Sequence, residues 1–212
     1  MEFATFSKYF SKIAKETLPA TMAHVKMIPP GRLELLNNQD YTHFNPKKAA
    51  VLMLLYPKNG VTHLALIVRN SYPGIHSSQI AFPGGKVELS DKSLAHTAIR
   101  ETFEEIGVLE NSISIIRSFT EVYIPPSNFL VSPFLGFTEQ EISFTLCIDE
   151  VSEIIELPLH HFLDDKNVVQ VPMSTSYATN FKVPAFQINN HLVWGATAMM
   201  MMELKEMIKK VL

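Results

Sequence analysis

The chain has 212 residues, of which 47% are hydrophobic and 18% charged, with a formal net charge of −3. This balance predicts a globular protein with one sizeable core, and the weakly acidic charge gives no electrostatic basis for binding nucleic acid. No apolar run is long enough to span a membrane, and the N-terminus lacks the features of a secretory signal. The single Cys147 excludes an intrachain disulfide framework, and together these features predict a cytoplasmic protein.

The first 45 residues are predicted to form an extension that precedes the main domain, residues 46–212. Apolar residues recur near helical spacing at Phe6, Phe10, Ile13 and Leu18. This spacing predicts an amphipathic helix over residues 5–16, and the run Ile28-Pro29-Pro30-Gly31 ends the region. We expect the extension to pack on the main domain. A contact between two copies through the extension, and hence a homodimer, stays open.

Strand-like and helical patterns follow one another in the main domain. Residues 49–56 and 62–69 predict two strands that pair across the turn Lys58-Asn59-Gly60. Beyond a helix described below, further strands are predicted at residues 112–121, 130–136, 143–148 and 151–156. Residues 181–188 and 191–193 predict a hairpin, and an amphipathic helix ends the chain. This order predicts an α/β fold in which helices cover a mixed β-sheet.

A dense cluster of carboxylates marks the helix that follows the turn Gly84-Gly85. Glu101, Glu104 and Glu105 stand at positions i, i+3 and i+4, which places them on one helical face. Like charges so close repel each other unless a cation neutralises them. Hard oxygen ligands of this kind favour Mg²⁺ or Mn²⁺. The opposite face is expected to be buried and carries Ala95, Ile99, Phe103 and Ile106.

The ends of this helix also have recognisable signals. Asp91 or Ser93 suits the N-cap, and Gly107 suits the left-handed position after the last turn. Arg100 is adjacent to the carboxylates and is expected to hold one of them by a bidentate pair. The two glycines permit a tight turn and a close approach of the backbone to a ligand or metal.

The segment from Gly85 to Val108 resembles the Nudix box, Gly-x5-Glu-x7-Arg-Glu-U-x-Glu-Glu-x-Gly-U, where U is a bulky apolar residue. The positions that match are Gly85, Arg100, Glu101, Glu104, Glu105, Gly107 and Val108. Asp91 replaces the first Glu, and the spacer between Asp91 and Arg100 is one residue longer than the pattern. Thr102 replaces the first bulky residue. The resemblance implies a Nudix α/β/α sandwich and metal-dependent hydrolysis of a nucleoside diphosphate linked to another moiety.

The residues before the box are similar to those of the coenzyme A pyrophosphatases within this family. Arg69, Ile80 and the run Phe82-Pro83-Gly84-Gly85 fit that pattern, whereas Gly74 and Ser78 depart from it. The resemblance implies cleavage of coenzyme A to 3′,5′-ADP and phosphopantetheine. Two alternatives stay open: hydrolysis of ADP-ribose, NADH or another nucleotide, and a non-catalytic domain that senses a nucleotide.

Residue type and position, together with the resemblance, suggest roles for particular residues. Glu101, Glu104, Glu105 and the Gly85 carbonyl are the expected ligands of Mg²⁺ or Mn²⁺, and Arg100 supports them. The general base is expected to be Glu101 first and Glu150 second. The expected partners of a small-molecule diphosphate are Arg69, His76, Lys86, Ser127 and Asn128.

Overall fold

The computed structural model describes residues 1–28, 41–70, 79–175 and 178–212. Its helices are α1 Phe3–Phe6, α2 Phe10–Lys15, α3 Thr21–His24, α4 Leu94–Ile106, α5 Leu159–Leu163 and α6 Gly195–Val211. Its strands are β1 Lys47–Lys58, β2 Val61–Arg69, β3 Ile80–Ala81, β4 Gly84–Lys86, β5 Ser114–Ser118, β6 Val122–Ile124, β7 Phe129–Phe137, β8 Val151–Pro158, β9 Val168–Thr175, β10 Ala178–Ile188 and β11 His191–Val193. Among the described helices, none combines the length and apolar character needed to cross a bilayer.

The larger sheet is mixed and is built around β1. Strand β7 runs parallel to β1 on one side. On the other side, two antiparallel strands pair with β1. The short β4 pairs with the N-terminal part of β1, and β2 pairs with its C-terminal part. Strands β5 and β6 then add to β7, and β3 and β8 add to β2. Strands β9, β10 and β11 form a separate antiparallel sheet.

Helices cover both faces of the larger sheet. Successive residues of β1 point to opposite faces, so that Met53 and Leu55 join a cluster with the N-terminal segment and α6. Leu52 and Leu54 join a second cluster with Ala98 and other residues of α4. The predicted mixed sheet between helical layers, with a helical N-terminal segment, is therefore confirmed.

Several predicted elements differ from the structure. The single helix expected at residues 5–16 is broken, because a 3₁₀ turn at Ser7–Tyr9 separates α1 from α2. Residues 143–148 form no strand, although Phe144 and Leu146 pack against the core next to α4. The sequence patterns missed β9. The hairpin of β10 and β11, with its turn at Asn189-Asn190, is confirmed.

The N-terminal segment packs firmly on the sheet and on α6. Phe6 and Ile13 are fully buried in the larger apolar cluster. Arg117 of β5 donates from Nη1 to the carbonyls of Ile13 and Glu16, at 3.0 and 2.5 Å. His24 contacts the buried Glu203 carboxylate of α6, at 3.2 Å from Nε2 to Oε2. This segment therefore contributes to the core rather than lying beside it.

Candidate functional site

Helix α4 is held at both ends. The Ser93 side chain caps its start by accepting a hydrogen bond from the His96 amide, at 3.1 Å. Gly107 ends it in the left-handed conformation, with φ of 75°. The amide of Cys147 donates to the Glu105 carbonyl at 3.0 Å. The segment before β8 thus provides a hydrogen-bond donor for a carbonyl of the last helical turn, which has no partner within the helix.

The buried face of α4 only partly matches the one that the spacing of apolar residues predicted, since Ile106 is buried and Ile99 packs on the core as expected. Phe103 is 44% exposed, whereas Thr102 is fully buried. Glu105 is buried with only 1% exposure. Thr102 satisfies its hydroxyl locally by donating to the Ala98 carbonyl at 2.7 Å. The face that meets the sheet thus carries a carboxylate, and the small Thr102 lets the helix lie close to the strands.

Glu105 is the central buried carboxylate of the site. Its Oε2 accepts a hydrogen bond from the Gly84 amide at 2.8 Å, and Arg69 donates from Nη1 to its Oε1 at 3.2 Å. Burial raises the pKa of Glu105 to about 7, although Arg69 and the Gly84 amide oppose the rise. The negative charges of Glu101 and Glu150 raise it further. A carboxylate in this state would gain from a cation beside it.

Glu101 lies directly against the glycine turn. A Cβ at Gly85 would stand 2.5 Å from the Glu101 carboxylate, so a side chain at Gly85 would displace this carboxylate from its position. A Cβ at Gly84 would stand 2.3 Å from the Ala50 carbonyl, which explains why β4 begins with two glycines. Burial raises the pKa of Glu101, against the lowering effect of Arg100.

Arg100 links the helix to the loop before it. Its Nε and Nη2 donate to the two oxygens of Asp91 at 2.9 and 3.1 Å, which is the bidentate geometry expected of a strong pair. Its Nη1 donates to Glu104 at 2.8 Å and lies 3.1 Å from Glu101. The bidentate pair with Arg100 holds the pKa of Asp91 well below its usual range.

The partner in this bidentate pair, Asp91, is one of the residues that depart from the Nudix box, and the sequence patterns did not identify it as the partner of Arg100. Its carboxylate also accepts from the Glu88 amide and from the Thr97 hydroxyl, both at 2.9 Å. The longer spacer and the shorter side chain at this position are the signals that could have identified it as the partner of Arg100.

The remaining carboxylates lie further from the buried centre. Glu104 is half exposed and bound to Arg100. Glu150 is exposed in the turn before β8, where its charge still acts on Glu101 and Glu105. Within the described ranges, no three His, Cys, Asp or Glu side chains converge closely enough to hold a metal ion.

The donor chemistry nevertheless fits a hard cation. Glu101 and Glu105 are both carboxylates whose charged form is disfavoured by burial, and the gap at Gly85 brings the backbone beside Glu101. Carboxylate and carbonyl oxygens are the ligands that Mg²⁺ and Mn²⁺ prefer. The site therefore has suitable ligands, but in this structure Arg100 balances the charge of Glu101 and Glu104.

The residues expected to contact substrate are dispersed. Arg69 lies at the centre, on Glu105. Lys86 is exposed, and its carbonyl accepts from Arg100 Nη2 at 3.2 Å. The Ser127 hydroxyl is buried without a hydrogen-bond partner in the described part of the chain. Asn128 uses its side chain within the protein, as described below. His76 lies outside the described residues.

Comparison with known proteins agrees with this geometry. The NUDIX domain model matches residues 46–175. The human protein "Mitochondrial coenzyme A diphosphatase NUDT8" is 33% identical over 155 residues, covering 72% of this chain and 66% of the human protein. The mouse protein "Peroxisomal coenzyme A diphosphatase NUDT7" is 28% identical over 164 residues, covering 74% and 69% of the two chains. For two other curated relatives the match covers only 58% and 53% of their length.

Among solved structures, a MutT/nudix family protein from Enterococcus faecalis superposes with a TM-score of 0.52. It shares 16% identity, and the match covers 96% of this chain and 73% of that one. At this identity the likeness shows the fold alone.

The expected cytoplasmic location is wrong, because the matching relatives are named as mitochondrial and peroxisomal proteins. A single cysteine provides no disulfide framework, but cysteine usage does not identify the compartment in which a protein resides. The expected family, in contrast, is confirmed by the match over residues 46–175 and by the relatives' sequences. The chain belongs to the NUDIX domain family.

Proposed function

We propose that this protein is a metal-dependent hydrolase that cleaves the diphosphate linkage of a nucleoside diphosphate joined to another moiety. The observation that carries the proposal is the buried Glu105 carboxylate, placed beside Glu101 and the Gly84-Gly85 turn. A buried negative charge with only one partial cationic partner is costly unless a metal ion or a proton joins it. The match to the NUDIX model over this segment supports the same conclusion.

Coenzyme A and its acyl derivatives are the preferred substrates of this proposal. Two relatives that match over most of this chain are named coenzyme A diphosphatases. The sequence from Phe82 to Gly85 and Arg69 resembles the corresponding pattern. The products would be 3′,5′-ADP and phosphopantetheine or its acyl form.

In this proposal the residues of α4 and the glycine turn have separate roles in metal binding, proton transfer and phosphate binding. Glu101, Glu104, Glu105 and the Gly85 carbonyl would hold Mg²⁺ or Mn²⁺, and Arg100 would give up its contacts with Glu101 and Glu104 while it keeps its pair with Asp91. When bound, the metal supplies a polarised phosphoryl oxygen and a more acidic water. Glu101 or, as the second candidate, Glu150 would accept the proton of that water. Arg69 would move from Glu105 to a phosphate oxygen.

Product chromatography tests the proposal. The wild-type protein is incubated with coenzyme A, acyl-coenzyme A, ADP-ribose and NADH, with Mg²⁺, with Mn²⁺ and with a chelator. We expect 3′,5′-ADP from coenzyme A only when metal is present. Glu105→Gln should lower kcat by at least about 100-fold, since the loss removes charge at the reacting centre. The matched control Glu139→Gln, which alters an exposed carboxylate, should retain full activity.

Each alternative has its own outcome in this experiment. Faster cleavage of ADP-ribose or NADH than of coenzyme A would replace the preferred substrate while keeping the hydrolase class. Binding of nucleotides without cleavage of any substrate would favour a sensing domain. Metal-dependent cleavage that survives Glu105→Gln would refute the role given to Glu105.

A further inference from the structure

The face of the sheet beneath α4 carries two neighbouring cross-strand rows. The first row contains Gly85, Ala50 and Ser132, which pair in register across β4, β1 and β7. The Glu101 carboxylate lies over this row at Gly85. The second row lies two residues earlier on β1, and its members are Lys48, Leu130 and Tyr123 on β1, β7 and β6. Residues two apart on a strand share a face, so both rows face the same side.

Strand geometry gives the distances between these rows. Rows two residues apart are separated by about 7 Å, and neighbouring strands by about 4.8 Å. Lys48 is therefore about 8 Å from Gly85, and Tyr123 is about 16 Å away along the diagonal. Along this face, Lys48 therefore lies between the carboxylate site at Gly85 and the aromatic ring of Tyr123.

The far end of the second row is a cluster of aromatic rings. Tyr123 stacks on Tyr41 with ring centroids 4.7 Å apart and on Phe44 at 5.6 Å. His43 lies against Phe44 with centroids 3.9 Å apart. Phe44 is 45% exposed, although a ring of this size is usually buried. The cluster thus leaves part of Phe44 open to solvent.

Asn128 fixes this cluster in place. Its Nδ2 donates to the Phe44 carbonyl at 3.1 Å, and its Oδ1 accepts from the Tyr123 hydroxyl at 3.0 Å. Its backbone adopts the left-handed conformation with φ of 52°, and its carbonyl accepts from the Lys47 amide at 2.9 Å. Asn128, which the sequence suggested as a substrate contact, is therefore a positioning residue for Phe44 and Tyr123.

Lys47 and Lys48 are adjacent but point to opposite faces of β1. Lys47 lies over the Phe129 ring, 5.8 Å from its centroid, on the face away from α4. Lys48 is exposed on the face of α4 and makes no ion pair with any carboxylate in the described ranges. An exposed cation between a carboxylate site and a ring cluster is suited to an anionic ligand whose other end is an aromatic ring.

We propose that Lys48 and the exposed ring of Phe44, supported by Tyr123, form a subsite for the nucleotide half of the substrate. Lys48 would contact a phosphate of the nucleotide, and the purine base would stack on Phe44. Aromatic stacking and a cation are the two contacts that proteins commonly use for a phosphorylated nucleoside. The subsite rests on the proposed function, because it assigns the nucleotide end of the diphosphate to the side of β6 and the other end to the opposite side.

Calorimetric titration with 3′,5′-ADP tests the subsite directly. We expect Phe44→Ala to weaken binding by about 5- to 160-fold, the range of one stacked base. Phe44→Tyr keeps a ring and should bind within about twofold of wild type. Lys48→Ala should weaken binding, with a loss that shrinks at high salt. Lys47→Ala is the matched control and should leave affinity unchanged.

Measurements of KM and kcat with coenzyme A complete the test. Phe44→Ala and Lys48→Ala should raise KM while kcat changes little, since neither residue touches the reacting phosphorus. Equal affinity of Phe44→Ala and wild type for 3′,5′-ADP, or an equal loss in Lys47→Ala and Lys48→Ala, would overturn the subsite. A wild-type protein that binds 3′,5′-ADP through these residues but cleaves no diphosphate would refute the proposed function alone.

Discussion

Glu105 is a residue whose placement costs stability. Its carboxylate lies in the interior with the Gly84 amide and Arg69 as partners, and burial still raises its pKa to about 7. The i, i+3, i+4 spacing in the sequence predicts that it lies close to Glu101 and Glu104. Glu105 is buried whereas Glu104 is half exposed. This difference depends on how α4 packs on β1 and β4, and the local sequence does not predict that packing.

The raised pKa of Glu105 predicts a pH-dependent stability. In the folded protein this carboxylate holds its proton up to a pH of about 7, whereas the ordinary pKa of a glutamate side chain is 4.5. The folded state therefore binds more protons between these values, and stability falls as pH rises through this window. Without metal at pH 8, Glu105→Gln should be more stable than wild type by about 1–3 kcal/mol, and the difference should vanish near pH 4.

Urea unfolding at both pH values, in the presence of a chelator, measures this difference. Glu139→Gln should show no such gain at pH 8, because its carboxylate is exposed. Added Mg²⁺ or Mn²⁺ should then stabilise wild type but not Glu105→Gln. A Glu105→Gln variant less stable than wild type at pH 8 would show that the two hydrogen bonds of this carboxylate outweigh its burial.

At the scale of elements, the boundaries of α4 followed from the sequence because local chemistry sets them. Ser93 caps the first turn and Gly107 ends the last one, as the residue types indicate. The segment at residues 143–148 shows why other elements could not be predicted. Phe144 and Leu146, with Ile142 just before them, pack on the core as alternating strand residues would, but the amides of Thr145 and Cys147 donate to the end of α4.

The N-cap of α4 gives a test at this scale. Ser93→Ala removes the acceptor of the His96 amide and should lower the free energy of unfolding by about 1 kcal/mol. Thermal unfolding measures the loss, and Ser90→Ala, in the exposed turn nearby, is the control. Activity at a temperature well below the transition should change little, because Asp91 and Arg100 hold the helix independently. A large fall in kcat would show that the cap also positions the carboxylates.

At the scale of the whole molecule, the N-terminal segment is part of the folded core. Phe6 is fully buried and meets Phe10 edge to face, with ring centroids 5.6 Å apart. Phe6→Ala should therefore lower the free energy of unfolding by about 3–5 kcal/mol, the cost of a cavity at a buried aromatic position. Urea denaturation measures this, with Leu89→Ala as the control, since Leu89 is fully exposed. A loss below about 1 kcal/mol would mean that the segment detaches without unfolding the sheet.

The proposed division into residues 1–45 and 46–212 stays a prediction, and so does the homodimer. The packing of Phe6, Ile13 and His24 on the sheet and α6 means that the segment would unfold together with the main domain. The Phe6→Ala measurement bears on this point as well, because a single transition is expected if the two parts form one cooperative unit.

The sequence by itself determined the class of the fold, the limits of the carboxylate helix and the carboxylates that we expect to act as hard oxygen ligands. These features depend on residue type and short-range spacing, which act within one or two turns of chain. Only the tertiary structure decided that Glu105 is buried, that Arg100 pairs with Asp91, and that Lys48 and Tyr123 share one face beside the glycine turn. Those relations join residues that are distant along the chain, and they arise from strand register and from the packing of α4 on the sheet.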